Sequence, residues 1–99
     1  MSGRLHAYVV AYDITDDRRR SKVADILLSY GERIQGSVFL IGATTASALR
    51  MKDEVRCVIN SNLDSVIVCD LGMYDARESK CSYLGMHVRS GLDRGCMII

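Results

Sequence analysis

The stretch that decides the fold is residues 8–20, YVVAYDITDDRRR. Its first half is apolar, β-branched and aromatic, which is typical of a buried strand. After Asp13, either Thr15 or Asp16 can cap a following helix, because its side-chain oxygen accepts a hydrogen bond from a free N–H of the first turn. We therefore expect a strand over residues 7–13 that leads into a helix, with a carboxylate at the strand end and three arginines at the helix start.

Two helices are predicted from apolar residues that recur every three or four positions. Gly31 is expected to end the first helix. The apolar positions of that helix are Val23, Ile26, Leu27 and Tyr30. The second helix is predicted over about residues 46–60, with Thr44 or Thr45 as its cap. Its apolar positions are Ala48, Met51, Val55, Val58 and Ile59.

Two further stretches, residues 33–42 and 64–71, are predicted to be strands. In the first of them, residues that we expect to face the core alternate with residues on the opposite face. The residues expected to face the core are Ile34, Val38 and Leu40, and those on the opposite face are Arg33, Ser37 and Phe39. Residues 33–42 are long enough to bend or to be followed by a short partner strand. The order indicates an α+β fold, a ferredoxin-like βαββαβ sandwich with an antiparallel sheet and two helices on one face. The exposed face of the sheet needs cover, and a homodimer is the simplest way to provide it.

The chain has 99 residues, which is enough for one domain with its own core. We expect that core within about residues 7–71. Residues 72–99 form an extension whose apolar end, residues 96–99, could exchange as a strand with the sheet of a partner protomer. No segment has the ~18–20 consecutive apolar residues of a membrane span. Residues 1–6 lack the apolar stretch of a secretion signal, so we expect a cytoplasmic protein with no membrane partner.

Charge and cysteine content exclude several classes of protein. Thirteen basic and twelve acidic residues leave a formal net charge of +1, so attraction to nucleic acid can come only from local clusters. The four cysteines form no C-x-x-C pair, which disfavours structural zinc and indicates free thiols. Cys57 and Cys69 lie in apolar segments and are predicted to be small core residues.

Asp13 has two interpretations. As an ordinary strand-ending aspartate, it would cap the helix. As a functional group, it would bind Mg²⁺, which proteins often hold through one or two carboxylates and several waters. In a symmetric dimer whose strand ends meet, two copies of Asp13 would share one ion that activates water and polarises a phosphate for hydrolysis. Asp16 and Asp17 are expected to serve the N-terminus of the helix instead.

Basic residues cluster after Asp13 and again in the second strand. They are Arg18, Arg19, Arg20, Lys22 and Arg33. Successive helical residues point about 100° apart, so one or two of the three arginines can reach phosphates while the rest are solvated or paired with acidic neighbours. A guanidinium group binds phosphate through a planar fork. The alternative is a solvated charged face of the helix. Ser37 and Phe39 likewise either pack on the other face of the sheet or lie beside Asp13 near a dimer groove.

Three motifs resemble those of the CRISPR-associated protein 2 family. They are YVVAYDITDDRRRSKVA at residues 8–24, YGERIQGSVF at residues 30–39 and DSVIV at residues 64–68. The last of these is similar to the fourth strand of that family, and the resemblance covers roughly residues 7–71. It implies a ferredoxin-like homodimer whose C-terminal strand can join the sheet of the partner.

The resemblance also implies a function in CRISPR adaptation. The dimer would bridge two dimers of the CRISPR-associated protein 1 integrase and hold the incoming spacer DNA. Members of the family are described as magnesium-dependent endonucleases, acting as endoribonucleases on single-stranded RNA or on double-stranded DNA. Two functions remain open: a nuclease that takes part in spacer acquisition for antiviral defence, and a non-catalytic DNA-bridging subunit. A ferredoxin-like domain that binds or senses small molecules is a third option, but it leaves the strand-end aspartate and the arginines unexplained.

By position, the resemblance assigns Asp13 as the catalytic and metal-binding residue, with one Mg²⁺ per dimer between its two copies. Four other positions match family residues that lie beside the groove of the dimer or within the strands. They are Tyr12, Arg20, Arg33 and Phe39. Two positions depart from the family pattern, because Gly36 replaces a common aromatic residue and Lys22 stands where some members have arginine.

Overall fold

The computed structural model describes residues 4–76 and 81–85. Its elements follow the predicted βαββαβ order. They are β1 (His6–Asp13), α1 (Asp17–Tyr30), β2 (Gly31–Gln35), β3 (Val38–Ala43), α2 (Thr45–Val58) and β4 (Ser65–Met73). The four strands form one antiparallel sheet in the order β2-β3-β1-β4. The ferredoxin-like fold expected from the sequence is therefore confirmed.

The core lies between one face of the sheet and both helices. Val10 in β1 stands opposite Phe39 in β3 and Val68 in β4, so these side chains share that face. Leu27 of α1 and Met51 of α2 pack against them and have no exposed surface. Each fully buried side chain of this size contributes about 1.5–3 kcal/mol relative to an exposed one. The apolar positions predicted for the two helices are the ones that face this core.

Side-chain caps and one glycine set the ends of the helices. The carboxylate of Asp16 accepts a hydrogen bond from the backbone N–H of Arg19 at 2.8 Å, as the sequence predicted for one of two candidates. Thr44 caps α2 in the same way. At the other end of α1, a Cβ on Gly31 would lie 2.2 Å from the backbone oxygen of Leu40. Only glycine allows β2 to start directly after the helix and pair closely with β3.

The predicted strand over residues 33–42 is a hairpin. β2 and β3 are joined by a turn at Gly36 and Ser37, where Gly36 has a φ of +23°. The expectation that Val38 and Leu40 face the helices, with Phe39 opposite, is wrong. Phe39 has no exposed surface and belongs to the core between sheet and helices. Side chains alternate between the two faces along a strand, but this alternation does not continue through a turn. The pairing of β2 with β3 is also irregular after Arg33.

The second face of the sheet, here called the open face, is not covered by either helix within the described ranges. The alternation of β1, β3 and β4 places on it the side chains of Val9, Ala11, Asp13, Val38, Leu40, Ser65, Ile67 and Cys69. Gly42 belongs to the same face and lies against the ring of Tyr74, since a Cβ there would be 2.6 Å from that ring. Tyr74 therefore covers the Gly42 end, while Asp13 and Ser65 at the other end are exposed.

Cys57 and Cys69 are exposed rather than buried, because Cys57 lies on the solvent side of α2 and Cys69 on the open face. The predicted C-terminal strand at residues 96–99 lies outside the described residues. Within residues 4–76 and 81–85, we find no helix with both the length and the apolar character needed to cross a bilayer.

Candidate metal and nucleic-acid site

Asp13 is the last residue of β1, and its side chain lies on the open face, because that of Tyr12 points into the core. It is exposed and makes no hydrogen bond or ion pair with any residue in 4–76 or 81–85. Asp16, not Asp13, caps α1. The interpretation of Asp13 as a helix cap is therefore wrong, and its carboxylate is available to a ligand.

Three segments meet around Asp13. The backbone N–H of the neighbouring Tyr12 donates to the carbonyl of Ser37 at 3.2 Å, which fixes the β2–β3 turn next to the end of β1. On the other side, Ser65 at the start of β4 pairs directly with Asp13. Ser37 was singled out from the sequence and Ser65 was not. Only the register of β1 with β4 could have identified Ser65, because serine at the start of a strand carries no signal of its own.

The three consecutive arginines have different environments. Arg18 is exposed and has no hydrogen-bond or ion-pair partner in the described part of the chain. Arg20 donates to the carbonyls of Ile14 and Thr15 at 3.1 and 3.2 Å and to the carboxylate of Asp17, so it braces the loop between β1 and α1. Its side chain is still 42% exposed. Arg20 thus contacts the loop that directly follows Asp13, and Arg18, at the start of α1, is the more exposed of the two.

Arg19 is engaged by Asp64 in a bidentate pair. Its Nε and Nη2 atoms donate to the two carboxylate oxygens of Asp64 at 2.7 and 3.1 Å. The side chain of Asp64 has no exposed surface and also accepts from the backbone N–H of Asn60 at 2.8 Å. Arg19 and that N–H together hold the pKa of Asp64 below its ordinary value. The predicted role of Arg19 as a phosphate ligand stays untested, but its guanidinium here ties α1 to the turn before β4.

We expect the Arg19–Asp64 pair to make the fold acid-sensitive. Because the pKa of Asp64 is lower in the folded chain than in the unfolded one, its stabilisation is present above the ordinary value of about 4 and is lost as the pH falls through the folded value. Asp64→Asn should therefore have a lower melting temperature at pH 7 and a smaller further drop on acidification. Thermal melts of both proteins between about pH 3 and pH 7 check this.

Asp53→Asn is the matched control for that experiment, since Asp53 forms an exposed pair with Arg56 on α2. Exposed pairs of this kind contribute little. A drop in the melting temperature of Asp64→Asn no larger than that of Asp53→Asn would contradict a stabilising role for the partly buried Arg19–Asp64 pair.

Arg33 and Phe39 do not lie beside Asp13. Both point towards the helix side of the sheet, whereas Asp13 lies on the open face. The guanidinium of Arg33 stands 5.0 Å from the centroid of the Phe39 ring, and its buried Nε has no hydrogen-bond partner in the described residues. Phe39 also contacts the ring of Tyr12, at a centroid distance of 5.9 Å. The expectation that the ring of Phe39 lines a groove with Asp13 is therefore wrong, and Phe39 and Tyr12 support the strand end from within the core.

The residues around Asp13 fit a shared metal better than a metal held by one chain. Within residues 4–76 and 81–85, no group of three or more His, Cys, Asp or Glu side chains could hold an ion. Mg²⁺, however, binds proteins through one or two carboxylates and keeps several waters. One exposed carboxylate per chain at a strand end meets that requirement if two chains place their copies of Asp13 together.

Comparison with known proteins identifies the family. The family model for CRISPR associated protein Cas2 matches residues 6–78, which include β1 to β4 and every candidate site residue. This chain belongs to the Cas2 family. The endoribonuclease Cas2 1 of Rhodospirillum rubrum is 34% identical over 98 residues, covering 99% of this chain and 95% of that protein. The endoribonuclease Cas2 4 of the same organism is 42% identical over 64 residues, covering 65% of this chain and about half, 52%, of that protein.

The fold agrees with a solved Cas2 structure. Streptococcus pyogenes Cas2, crystallised at pH 6.5, superposes with a TM-score of 0.71 and 27% sequence identity. The superposition covers 80% of this chain and 99% of that one. The Cas2 resemblance recognised in the sequence at residues 8–24 and 30–39 is thus confirmed, both by the family model and by the fold.

Proposed function

We propose that this chain is a magnesium-dependent nuclease that hydrolyses phosphodiester bonds of single-stranded RNA or double-stranded DNA, and that it takes part in spacer acquisition for antiviral defence. The observation that carries the proposal is the exposed carboxylate of Asp13, which ends β1 on the open face without any partner in the described residues. Relatives named CRISPR-associated endoribonucleases support the same class of chemistry.

The functional unit in this proposal is a homodimer that packs through the open face. That face carries Val9, Ala11, Val38 and Ile67, and Ile67 is 58% exposed in the single chain. Burying such a face against a second copy removes apolar surface from water and is a common solution for small domains. The C-terminal strand predicted at residues 96–99 would join the partner's sheet.

In the dimer, the two Asp13 side chains would hold one Mg²⁺ between them. When bound, the ion would supply a polarised phosphate oxygen and a more acidic water, the two requirements of phosphodiester hydrolysis. Asp13 is free for this role because other carboxylates bind the start of α1. Asp16 accepts from the backbone N–H of Arg19, and Asp17 accepts from the side chain of Arg20. Tyr12, packed on Phe39 in the core, fixes the backbone from which Asp13 projects.

Basic residues next to this strand end would position the nucleic acid. Arg18 is exposed and unpaired within the described residues, and Arg20 is partly exposed. Contacts of this kind go to phosphates and carry no sequence information. Arg19 would act indirectly, through its pair with Asp64. We also propose a cytoplasmic complex with the CRISPR-associated protein 1 integrase, to which the dimer would present its bound DNA.

The test is a cleavage assay on labelled single-stranded RNA and duplex DNA, each with magnesium and with EDTA. The proposal predicts cutting of at least one substrate in magnesium alone. A verified dimer that cuts neither substrate over a range of pH and metal ions would contradict the nuclease. The substrate that is cut decides between RNA and DNA.

A second candidate function is a non-catalytic dimer that bridges DNA for the integrase. The observation that favours it is that, among the described residues, no three His, Cys, Asp or Glu side chains are grouped to hold a metal ion, while Arg18 is exposed and has no partner there. In this case, the protein would bind duplex DNA in EDTA, lose that binding when Arg18 is changed to glutamate, and cut nothing in magnesium.

A further inference from the structure

We propose that Ser65 is a second functional side chain of the Asp13 site and that its hydroxyl donates a hydrogen bond to a phosphate oxygen of bound nucleic acid. The inference rests on the proposed function, because it assigns a ligand contact within the same site. The sequence includes this serine in the DSVIV motif of residues 64–68 but assigns it no role, and its place beside Asp13 is evident only from the pairing of two strands that are far apart in the chain.

The register of β1 with β4 brings Ser65 next to Asp13. The two residues are direct partners in the antiparallel pair. Directly opposed residues have Cβ atoms about 4.5–5.5 Å apart, with side chains on the same face. Both are exposed in the single chain, at the end of the open face opposite the one that Tyr74 covers. A ligand that contacts the carboxylate of Asp13 is therefore within reach of the hydroxyl of Ser65.

The hydroxyl of Ser65 is not used within the described structure. It makes no hydrogen bond with any residue of 4–76 or 81–85, and the carboxylate of Asp13 does not accept from it. A serine hydroxyl has one donor and two acceptor sites. Its donor therefore remains available to a ligand, and hydroxyl groups are common donors to phosphate oxygens in protein complexes with nucleic acid.

The backbone that carries Ser65 is held rigidly. Asp64, the preceding residue, is tied to Arg19 through two hydrogen bonds and to the backbone N–H of Asn60 through a third. The N–H groups of Leu63 and Asp64 donate to the carbonyl of Asn60 at 3.0 and 2.8 Å. The backbone of Ser65 is held by this turn on one side and by the hydrogen bonds between β1 and β4 on the other. Binding of a ligand therefore costs little conformational entropy at this residue.

Chemistry also favours a neutral donor at this place. The carboxylate of Asp13 repels a phosphate unless a cation lies between them, and two donors of the Arg19 guanidinium, Nε and Nη2, are already bound to Asp64. A serine hydroxyl contacts the phosphate without competing for a cation and without adding charge. It also does so equally for RNA and DNA, since the contact is to the phosphate and not to the sugar or the base.

The experiment compares Ser65→Ala, Ser65→Thr and Ser61→Ala in the full chain. Ser61 is an exposed residue of the adjacent turn and is the matched control. Binding of labelled single-stranded RNA and of duplex DNA is measured at one fixed magnesium concentration, before cleavage has progressed, over a series of monovalent salt concentrations. Ser65→Ala should bind about tenfold more weakly, as expected when one hydrogen bond to a charged group is lost. Ser65→Thr keeps the hydroxyl and should bind like the wild type, as should Ser61→Ala.

The salt dependence separates a phosphate contact from a structural defect. A neutral hydroxyl releases no counterion, so Ser65→Ala should keep the wild-type slope of log affinity against log salt, together with the wild-type melting temperature and dimer mass. Unchanged affinity in Ser65→Ala would overturn the inference while leaving the proposed function intact. Weaker binding that comes with a lower melting temperature, or that Ser65→Thr does not restore, would also overturn it. If the wild type neither binds nor cuts either nucleic acid, both proposals fail.

Discussion

Asp13→Ala is expected to lower magnesium-dependent cleavage by roughly a thousandfold or more. A metal ion stabilises the charge that develops in the transition state by several kcal/mol, and about 4 kcal/mol corresponds to three powers of ten in rate. The side chain of Asp13 is exposed and makes no contact that the described fold depends on. The loss should therefore occur without a change in melting temperature or in dimer mass, and initial rates of cleavage with wild type and variant purified identically measure it.

Two further variants make this result specific. Asp25→Ala removes another exposed carboxylate, from the solvent side of α1, and should cut at the wild-type rate. Asp13→Asn preserves the shape of the side chain, removes its charge, and should behave like Asp13→Ala. Wild-type rates in a folded Asp13→Ala protein, freed of contaminating nucleases, would refute the assignment of Asp13 as the metal-binding residue.

Ile67→Glu is expected to convert the proposed dimer into monomers. Ile67 is 58% exposed in the single chain and lies next to Ala11 on the open face, in the edge strand β4. A twofold interface would bury two copies of the new carboxylate in apolar surroundings, and each uncompensated buried charge costs several kcal/mol. The dissociation constant should rise by roughly a thousandfold or more, since each 1.4 kcal/mol is a factor of ten. Cleavage should fall with it, because the two copies of Asp13 no longer meet.

Leu49→Glu is the matched control for the dimer. Leu49 is 60% exposed but lies on α2, on the other side of the sheet. It should leave the mass in solution and the cleavage rate unchanged. Thiol labelling adds a second measurement, because Cys69 lies on the open face and Cys57 does not. Cys69 should be protected in the wild type and reactive in Ile67→Glu, with Cys57 reactive in both. An Ile67→Glu protein that remains dimeric would contradict the proposed interface.

Strong periodic patterns made most of the fold predictable from the sequence. The run of apolar residues in β1 and the helical spacing of Val23 and Leu27 arise because one side of each element faces the core. Such patterns can be read within a single element, without knowledge of distant contacts. The predicted βαββαβ order includes the two strands of this hairpin, but a single alternation over residues 33–42 does not locate the turn at Gly36 and Ser37. The faces predicted for Phe39 and Leu40 are therefore reversed.

The candidate site was only partly predictable, because its remaining parts depend on contacts between distant residues. Arg19 and Asp64 are 45 positions apart, so nothing local shows that one of three similar arginines is already engaged. The pairing of Asp13 with Ser65 likewise depends on the register of two strands separated by most of the domain. Cys69 lies in an apolar strand, but the face to which it points is decided by the same register.

The measurement that tests the central claim most directly is the number of magnesium ions bound per chain. Calorimetric titration of the wild-type dimer should give one ion for every two chains, with binding lost in Asp13→Ala and in monomeric Ile67→Glu. Both losses are needed, because together they show that the ion depends on Asp13 and on the presence of two protomers. One ion per chain, or undiminished binding in Asp13→Ala, would contradict a site shared between two copies of Asp13.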